Sequence, residues 1–445
     1  MPWVKIDDKE VEVEPGTSAL EAARKVGTEI PHYCYHPSLE IVGSCRMCLV
    51  QIEGMSRLQT SCSTFIRDMP GEKKIDGKYD MVMHTRTDVV KRERENILEF
   101  LLINHPLDCP VCDQAGECYL QDYSFRFGRA HSRFRDEKRV RPGENLGSSI
   151  VINHNRCIMC TRCVRFTREI SGTGELFVES RGYDTKISVL EDKPLDNLLA
   201  GNVADICPVG ALLSTDYIHR TRIWNLSRQS SVCTDCSVGC NIHVYYDGKQ
   251  VFRVNPRENP DVNGYFMCDI GRYGFHRYED IERIRSPLIR SDNEFKEIGW
   301  EGALKEVFHH FTRGKEGGKP EVAGVASPFH TNEANFLLGQ LITTVLRGRG
   351  CLGMLPQERD QDDIVFPSGF RISGDRSPNR RGVLDLCPGL EENLLDTVKK
   401  RKIKLMYLLD DGVDRKGEDS WAEILRNLDF LVVHTYAMTP VARLA

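Results

Sequence analysis

Long apolar runs are missing from this sequence. Nowhere do about 18 consecutive apolar residues occur, so no segment reads as a membrane-spanning helix. The first residues, Met1-Pro2-Trp3-Val4-Lys5, lack the basic end and apolar stretch of a signal peptide. Neither sign of charge dominates: 60 Lys and Arg against 65 Asp and Glu leave a net charge of −5, with no basic footprint for nucleic acid. Aromatic residues make up only 8%, yet a hydrophobic share of 40% is that of an ordinary globular chain able to bury real cores. At about 150 residues per domain, 445 residues suggest about three domains. Several catalytic signatures are absent as well. There is no Gly-x4-Gly-Lys-Ser/Thr loop, no His-Glu-x2-His and no Gly-x-Ser-x-Gly, which removes the phosphate-loop, zinc-protease and hydrolase-elbow motifs. Gly348-x-Gly350-x-x-Gly353 matches a dinucleotide fingerprint formally. It follows a predicted helix instead of opening one after a strand, and is not read as a nucleotide site.

What the chain has in excess is cysteine, 17 in all. Without an export signal they point to a reducing compartment, where thiols serve metals or redox work, and an odd total fits complete disulfide pairing poorly. Fifteen of them precede residue 270 in four separated groups. These are Cys34, Cys45, Cys48, Cys62; Cys109, Cys112, Cys118; Cys157, Cys160, Cys163, Cys207; and Cys233, Cys236, Cys240, Cys268. Only the second group has three members, and His105 lies four positions before it. Fifteen thiolates and one imidazole complete four tetradentate sites. Cys-x2-Cys pairs also build zinc ribbons, so zinc is the alternative. Three features favour iron–sulfur clusters instead. Cys157-x2-Cys160-x2-Cys163 closed by a remote Cys207-Pro208 is a cubane-cluster arrangement; Cys34, Cys45, Cys48 and Cys62 are close in style to a plant-type [2Fe–2S] loop; and Cys233-x2-Cys236-x3-Cys240 with Cys268 is another triplet plus one. Cys351 and Cys387 stand alone and read as structural thiols.

The elements around these groups are predicted from pattern. Val4, Ile6, Val11 and Val13 alternate across a turn at Asp7-Asp8-Lys9, as in a hairpin. Ser18-x-x-Glu21 is a capping box ahead of Leu20, Ala22, Ala23 and Val26, with Gly27 as a stop. A helix on a hairpin before a cysteine loop resembles a β-grasp ferredoxin, and Gly43 and Gly54 would let backbone N–H groups approach the sulfurs. Residues 88–104 predict a helix capped by Asp88, with Glu93, Arg94 and Glu95 toward solvent and Ile97, Leu98, Leu101 and Leu102 buried. Pro106 ends it, which puts His105 at the helix C-terminus; the missing ligand beside Cys109 favours His105 as that ligand over a surface imidazole. His32 and His36 flank a site that already has four thiolates, and read as hydrogen-bond donors or surface groups. The basic stretch 126–141 reads as a solvated or partner-docking face, and 141–149 as a linker. Beyond residue 283, strands at 321–326, 403–409 and 430–433 with a helix at 332–346 predict a parallel α/β layer.

This order of sites, with the stretch His105-Pro106-Leu107-Asp108-Cys109-Pro110-Val111-Cys112, resembles the large iron–sulfur subunit of respiratory NADH–quinone oxidoreductase, complex I, known in bacteria as the G subunit. The resemblance covers nearly the whole chain and is densest over residues 1–280. It implies a multidomain α+β and α/β protein. A β-grasp [2Fe–2S] ferredoxin domain is expected over 1–83, a one-His/three-Cys [4Fe–4S] domain over 84–125 and a ferredoxin-like [4Fe–4S] domain over 142–222. A [4Fe–4S] domain of molybdopterin-oxidoreductase type follows over 226–282, then a partial molybdopterin-oxidoreductase-like α/β domain over 283–445, where family members usually continue further. By the same resemblance Cys34, Cys45, Cys48 and Cys62 hold the [2Fe–2S] cluster. His105, Cys109, Cys112 and Cys118 hold one [4Fe–4S] cluster, Cys157, Cys160, Cys163 and Cys207 a second, and Cys233, Cys236, Cys240 and Cys268 a third. That last cluster occurs in some bacterial members and favours a bacterial source, peripheral on the cytoplasmic side of the inner membrane. The implied partners are a flavin/NADH-binding subunit, a small [2Fe–2S] subunit and a downstream two-cluster ferredoxin-like subunit, with no nucleic acid and no direct membrane insertion. Electrons would enter at the [2Fe–2S] site, pass the Cys157 cluster and then the His105 cluster, and leave toward quinone; no independent catalytic site, pterin or molybdenum is implied. NAD-linked formate dehydrogenases and iron-only hydrogenases share the N-terminal cassette. The former usually carry a lysine close behind the last cluster cysteine, where this chain has Cys268-Asp269-Ile270-Gly271-Arg272, and the latter need further cysteines that Cys351 and Cys387 cannot supply.

Overall fold

The structure, a computed structural model, describes residues 1–67, 75–248, 250–279, 281–292, 294–312, 321–346, 350–354, 362–410, 412 and 419–445. Gly348 of the glycine string lies outside them. The described chain divides into two compact units, one of residues 1–231, 242–272 and 365–370, the other of 232–241, 273–364 and 371–445.

The first unit opens with the predicted hairpin. Strands β1 (Trp3–Ile6) and β2 (Lys9–Glu12) pair antiparallel with Trp3 opposite Glu12, and Asp7 takes the left-handed turn position at φ 51°. Helix α1 (Ala19–Lys25) begins where the capping box places it, the Ser18 Oγ accepting from the Glu21 N–H at 3.2 Å. Strands β3 (Leu49–Ile52), β4 (Gln59–Thr60) and β5 (Met81–His84) complete a five-stranded sheet in the order β2-β1-β5-β3-β4, with β1 and β5 parallel. Val4, Ile6, Leu20, Ala22, Ala23, Val50, Ile52 and Met83 fill the core between sheet and helix, the packing of a β-grasp.

Helix α2 (Asp88–Leu102) departs from its predicted faces. Its N-cap is Thr87, whose hydroxyl accepts from the Val90 N–H, and Asp88 sits inside the first turn. Arg94 is buried, its Nη2 donating to the Leu49 carbonyl at 3.2 Å, while Phe100 faces solvent. The basic stretch behind α3 (Tyr119–Phe127) is largely exposed, as a solvated face is, and several of its side chains also pair within the unit. Arg126 meets Glu29 at 2.7 Å, Arg129 meets Glu95 at 3.0 Å, and Arg133 forks onto Glu99. Lys138 Nζ donates to the carbonyls of Leu102 and Ile103 at 2.6 and 2.9 Å, satisfying the open C-terminus of α2. The expected linker is a sheet edge. Glu144–Asn145 pairs with Ile150–Ile152, which pairs with Leu212–Ser214, and Leu146 is buried among them.

The second unit holds a four-stranded, all-parallel sheet in the order Gly350–Met354, Val322–Ala326, Leu405–Leu409, Phe430–His434. Alternate strand residues face opposite sides, as the period of two requires. Ala323, Val325, Met406 and Leu408 pack with Val398 and Ile424, whereas Val322, Ala326, Leu405 and Leu409 pack with Phe311, Leu338 and Val383. Helices therefore cover both faces, which is why these strands read as near-continuous apolar runs. The strand at Gly350–Met354 was not predicted. Its glycines serve close packing: a Cβ on Gly350 would lie 2.5 Å from the Val322 carbonyl oxygen, and one on Gly353 would lie 2.7 Å from Leu394.

Candidate metal centres

All seventeen cysteines are free thiols, and twelve of the fifteen in the four groups are buried. The first group is placed by the β3–β4 hairpin. Leu49 pairs with Thr60, and the Ser61 N–H donates to the Cys48 carbonyl, so the residues just outside the pair, Cys48 and Cys62, bring their sulfurs to 3.4 Å. Cys34 and Cys45 form a second pair. In each, the neighbouring S–H steadies one thiolate: Cys34 is lowered to about 5 chiefly by Cys45, and Cys48 to about 7 chiefly by Cys62, while Cys45 and Cys62 are raised. A shared proton of this kind is what an iron centre displaces on binding. Gly43 and Arg46 both take left-handed backbone in the loop between, at φ 59°. His32 Nδ1 lies 2.8 Å from the Ile30 carbonyl oxygen, and His36 Nδ1 accepts from the Ser38 N–H at 3.2 Å, so both imidazoles have hydrogen-bonding work of their own.

Cys157, Cys160, Cys163 and Cys207 line one small cavity with Ile152, Ile158, Ile187, Val209 and Leu212. Met159 and Thr161 hold left-handed backbone at φ 52° and 59°, a conformation non-glycine residues adopt only under local constraint. Burial in this apolar setting pushes Cys157 up to about 12 and Cys160 to about 11, and raises Cys163 and Cys207. Four thiolates converge there only with a compensating cationic centre, which is the chemistry of a cluster iron.

The second group sits behind α2. Cys109 opens a short 3-10 turn, Cys109–Val111, the Cys112 N–H returns to the Cys109 carbonyl at 3.2 Å, and Cys118 precedes α3. His105 follows the end of α2, its Nδ1 buried and without a hydrogen-bond partner among the described residues. Burial lowers this imidazole to about 4, so it is neutral at physiological pH, the form that ligates. A buried ring nitrogen with no partner is costly on its own and fits a metal ligand. The Cys207-Pro208-Val209-Gly210 segment lies directly against this group. Pro208 accepts the Tyr119 N–H at 3.1 Å, and a Cβ on Gly210 would lie 2.3 Å from the Cys112 Sγ.

Cys233, Cys236 and Cys240 share one loop of the second unit, closed by the Cys233 N–H donating to the Cys240 carbonyl at 2.8 Å. The Ser237 N–H donates to the Asp375 carbonyl at 2.9 Å, fixing the loop to its unit. Cys268 belongs to the first unit, buried ahead of the Asp269–Tyr273 helix, where Arg272 meets Asp205 at 2.5 Å and Asp269 at 3.3 Å. Cys351 and Cys387 are buried in the cores on the two faces of the α/β sheet, as structural thiols are. Among the described residues no three His, Cys, Asp or Glu side chains are gathered closely enough to hold a single metal ion.

Pattern reading missed the arginines. Arg156 pairs with Asp108 and reaches the Gly210 carbonyl at 3.4 Å; Arg222 donates to the Cys112 carbonyl at 2.7 Å. Arg165 donates to the carbonyls of Cys34 and Cys160 at 2.5 and 3.3 Å, and Arg162 to those of Tyr35 and Ile206, the latter at 3.1 Å. The only sequence signal of Arg162 and Arg165 is position, within the string Cys160-Thr161-Arg162-Cys163-Val164-Arg165.

Comparison with known proteins assigns these modules. Family models match in order along the chain: a 2Fe-2S iron-sulfur cluster binding domain over 3–69, the NADH-ubiquinone oxidoreductase-G iron-sulfur binding region over 94–133, and the NADH-quinone oxidoreductase subunit 3 ferredoxin-like domain over 147–213. The molybdopterin oxidoreductase Fe4S4 domain follows over 226–280 and molybdopterin oxidoreductase over 283–352. The class is thus an iron–sulfur oxidoreductase subunit with 2Fe–2S and 4Fe–4S binding domains ahead of an α/β region. Within it, the chain belongs to the family of the large iron–sulfur (G) subunit of NADH–quinone oxidoreductase. The NADH-quinone oxidoreductase G subunit of Rickettsia felis is 38% identical over 340 residues, 76% of this chain and 48% of the relative. The mitochondrial NADH-ubiquinone oxidoreductase 78 kDa subunit of Neurospora crassa is 42% identical over 308 residues, 69% of this chain and 40% of the relative. A crystal structure of an NAD+-reducing [NiFe]-hydrogenase matches at 30% identity and a TM-score of 0.43, covering 50% of this chain and 91% of that one. The chain spans about half the length of the curated relatives it matches. Among the described residues no helix is long and apolar enough to cross a membrane.

Proposed function

We propose that this chain is an electron-relay subunit of NADH–quinone oxidoreductase, carrying electrons from an NADH/flavin subunit toward quinone in a complex that couples the transfer to proton translocation. It acts as part of that oxidoreductase and brings no catalytic site of its own. Its ligand sets are Cys34, Cys45, Cys48 and Cys62 for a [2Fe–2S] cluster, and three [4Fe–4S] sets: His105, Cys109, Cys112 and Cys118; Cys157, Cys160, Cys163 and Cys207; Cys233, Cys236, Cys240 and Cys268. The domains are 1–83, 84–125, 142–222, 226–282 and 283–445. Its partners are the flavin/NADH subunit, a small [2Fe–2S] subunit, a downstream two-cluster ferredoxin-like subunit and other peripheral-arm subunits, on the cytoplasmic side of a bacterial inner membrane.

Bound iron–sulfur clusters supply one-electron carriers, and no substrate bond needs to be made or broken on this chain. The residues supply burial, spacing and donors. The observation that carries the reading is adjacency within the first unit. Arg165 joins the carbonyls of Cys34 and Cys160, while Cys207 to Gly210 lies against Cys112 and Tyr119, so the Cys157 group stands between the other two. That adjacency supports a relay order of the Cys34, Cys157 and His105 groups. Iron, zinc, molybdenum and acid-labile sulfide are measured on anaerobically purified protein. The reading expects about 14 iron per chain with equal sulfide and no molybdenum; about four zinc without sulfide, or molybdenum with a pterin, would overturn it.

A further inference from the structure

Arg162 and Arg165 are 5% and 7% exposed, and neither meets a carboxylate among the described residues. Every hydrogen bond they make ends on a carbonyl: Tyr35 and Ile206 for Arg162; Cys34, Cys160 and Glu40 for Arg165. The Nε of each is buried without a partner. Two guanidinium cations held this far from water need a countercharge, because carbonyl dipoles replace only part of the lost hydration. The buried ion pairs elsewhere in the unit, Arg272 with Asp205 and Arg156 with Asp108, do have one. The groups on either side of Arg162 and Arg165 are the cysteine loops, Cys34-Tyr35 on one and Cys160 with Ile206-Cys207 on the other.

From this we infer that Arg162 and Arg165 form a buried cationic bridge between the first and third cysteine groups, neutralising the anionic clusters on both sides and raising both potentials together. The inference rests on the ligand reading proposed above. Adding an electron to a thiolate-ligated cluster makes it more negative, and a nearby cation stabilises that reduced form. A pair placed between two such sites acts on both and damps the cost of having both reduced. The same forks tie the two loops at a fixed separation through the Cys34 and Cys160 carbonyls. These are positioning residues: they touch the ligands' backbone and not the reacting atoms.

The test is an EPR-monitored titration with dithionite of the cluster-loaded protein, comparing wild type, R162Q, R165Q, R162K and R165K. Wild type that lacks iron and sulfide sinks the underlying ligand reading and not the bridge alone. Given loaded wild type, each Gln variant is expected to lower the potentials of both the Cys34 and the Cys157 group. The expected size is about tenfold in the reduced-to-oxidised ratio at fixed ambient potential, which is about 59 mV for one electron. The Lys variants, which keep the charge but lose the fork, are expected near wild type. Loss of a cluster in the Gln variants with retention in the Lys variants also supports the bridge. Unchanged potentials, a shift in one group alone, or loss of clusters in Gln and Lys variants alike would overturn it and leave the arginines a packing role.

Discussion

His105 shows how much a single side chain decides. On the ligand set proposed above, a neutral imidazole in place of a thiolate would leave the cluster one charge less negative and easier to reduce, as histidine ligands do in Rieske centres. His105→Cys is therefore expected to lower that site's potential in an EPR-monitored titration, and an unshifted potential would remove His105 from the ligand set. Gly210 is a second case. Because an added Cβ would lie 2.3 Å from the Cys112 sulfur, Gly210→Ala is expected to displace that ligand and cost about four iron per chain, read by iron assay and loss of one EPR signal. The cysteine groups were legible in the sequence because residue type and spacing are read directly along the chain. The arginines were not. Arg94, Arg162 and Arg165 are buried by carbonyl acceptors that tertiary folding brings from far along the chain, and a lone arginine in a sequence carries no mark of that.

Among the elements, boundaries follow hydrogen-bonding chemistry more closely than periodicity does. Thr87 caps α2, so Thr87→Ala is expected to cost about 1 kcal/mol in thermal unfolding, whereas Asp88→Ala, which removes only a first-turn charge, costs less. The capping box at Ser18 was readable because both of its partners lie within four residues. The Glu144–Asn145 strand was not, since two residues carry no period, and the Gly350–Met354 strand was missed although its glycines were not read as a nucleotide loop, because only their close neighbours explain them. Arg272 binds the Asn202–Ile206 helix to the segment that starts at Cys268. Burial raises Asp205 and raises Asp269 to about 6, with Arg272 pulling both back. Arg272→Met strands these carboxylates, with an expected loss of about 3–5 kcal/mol. A carboxyl whose folded pKa is raised binds its proton longer in the native state than in the unfolded one, so stability falls as pH climbs from about 4 to 6. The variant's melting temperature should therefore fall further below wild type at pH 7 than at pH 4, and an equal deficit at both would contradict the role given to Arg272.

Across the whole molecule, two kinds of order coexist. The first unit is built from short strands and loops in which most of the cysteines are buried; the second is a parallel sheet covered on both faces, and all of its strands but Gly350–Met354 were predicted because burial on both sides leaves continuous apolar runs. Family membership, a layered α/β region and the module order were all within reach of the sequence. The adjacency of the Cys157 group to the other two was not, for it depends on loops meeting from far apart along the chain, Cys34 with Arg165 and Cys112 with Gly210. The central claim is that these sixteen side chains hold four iron–sulfur clusters, and Mössbauer spectroscopy of 57Fe-enriched, anaerobically purified protein tests it most directly. The account predicts about one-seventh of the iron signal from a binuclear site and the remainder from cubane sites. A spectrum of isolated iron, or protein that takes up no iron while binding zinc, would contradict it.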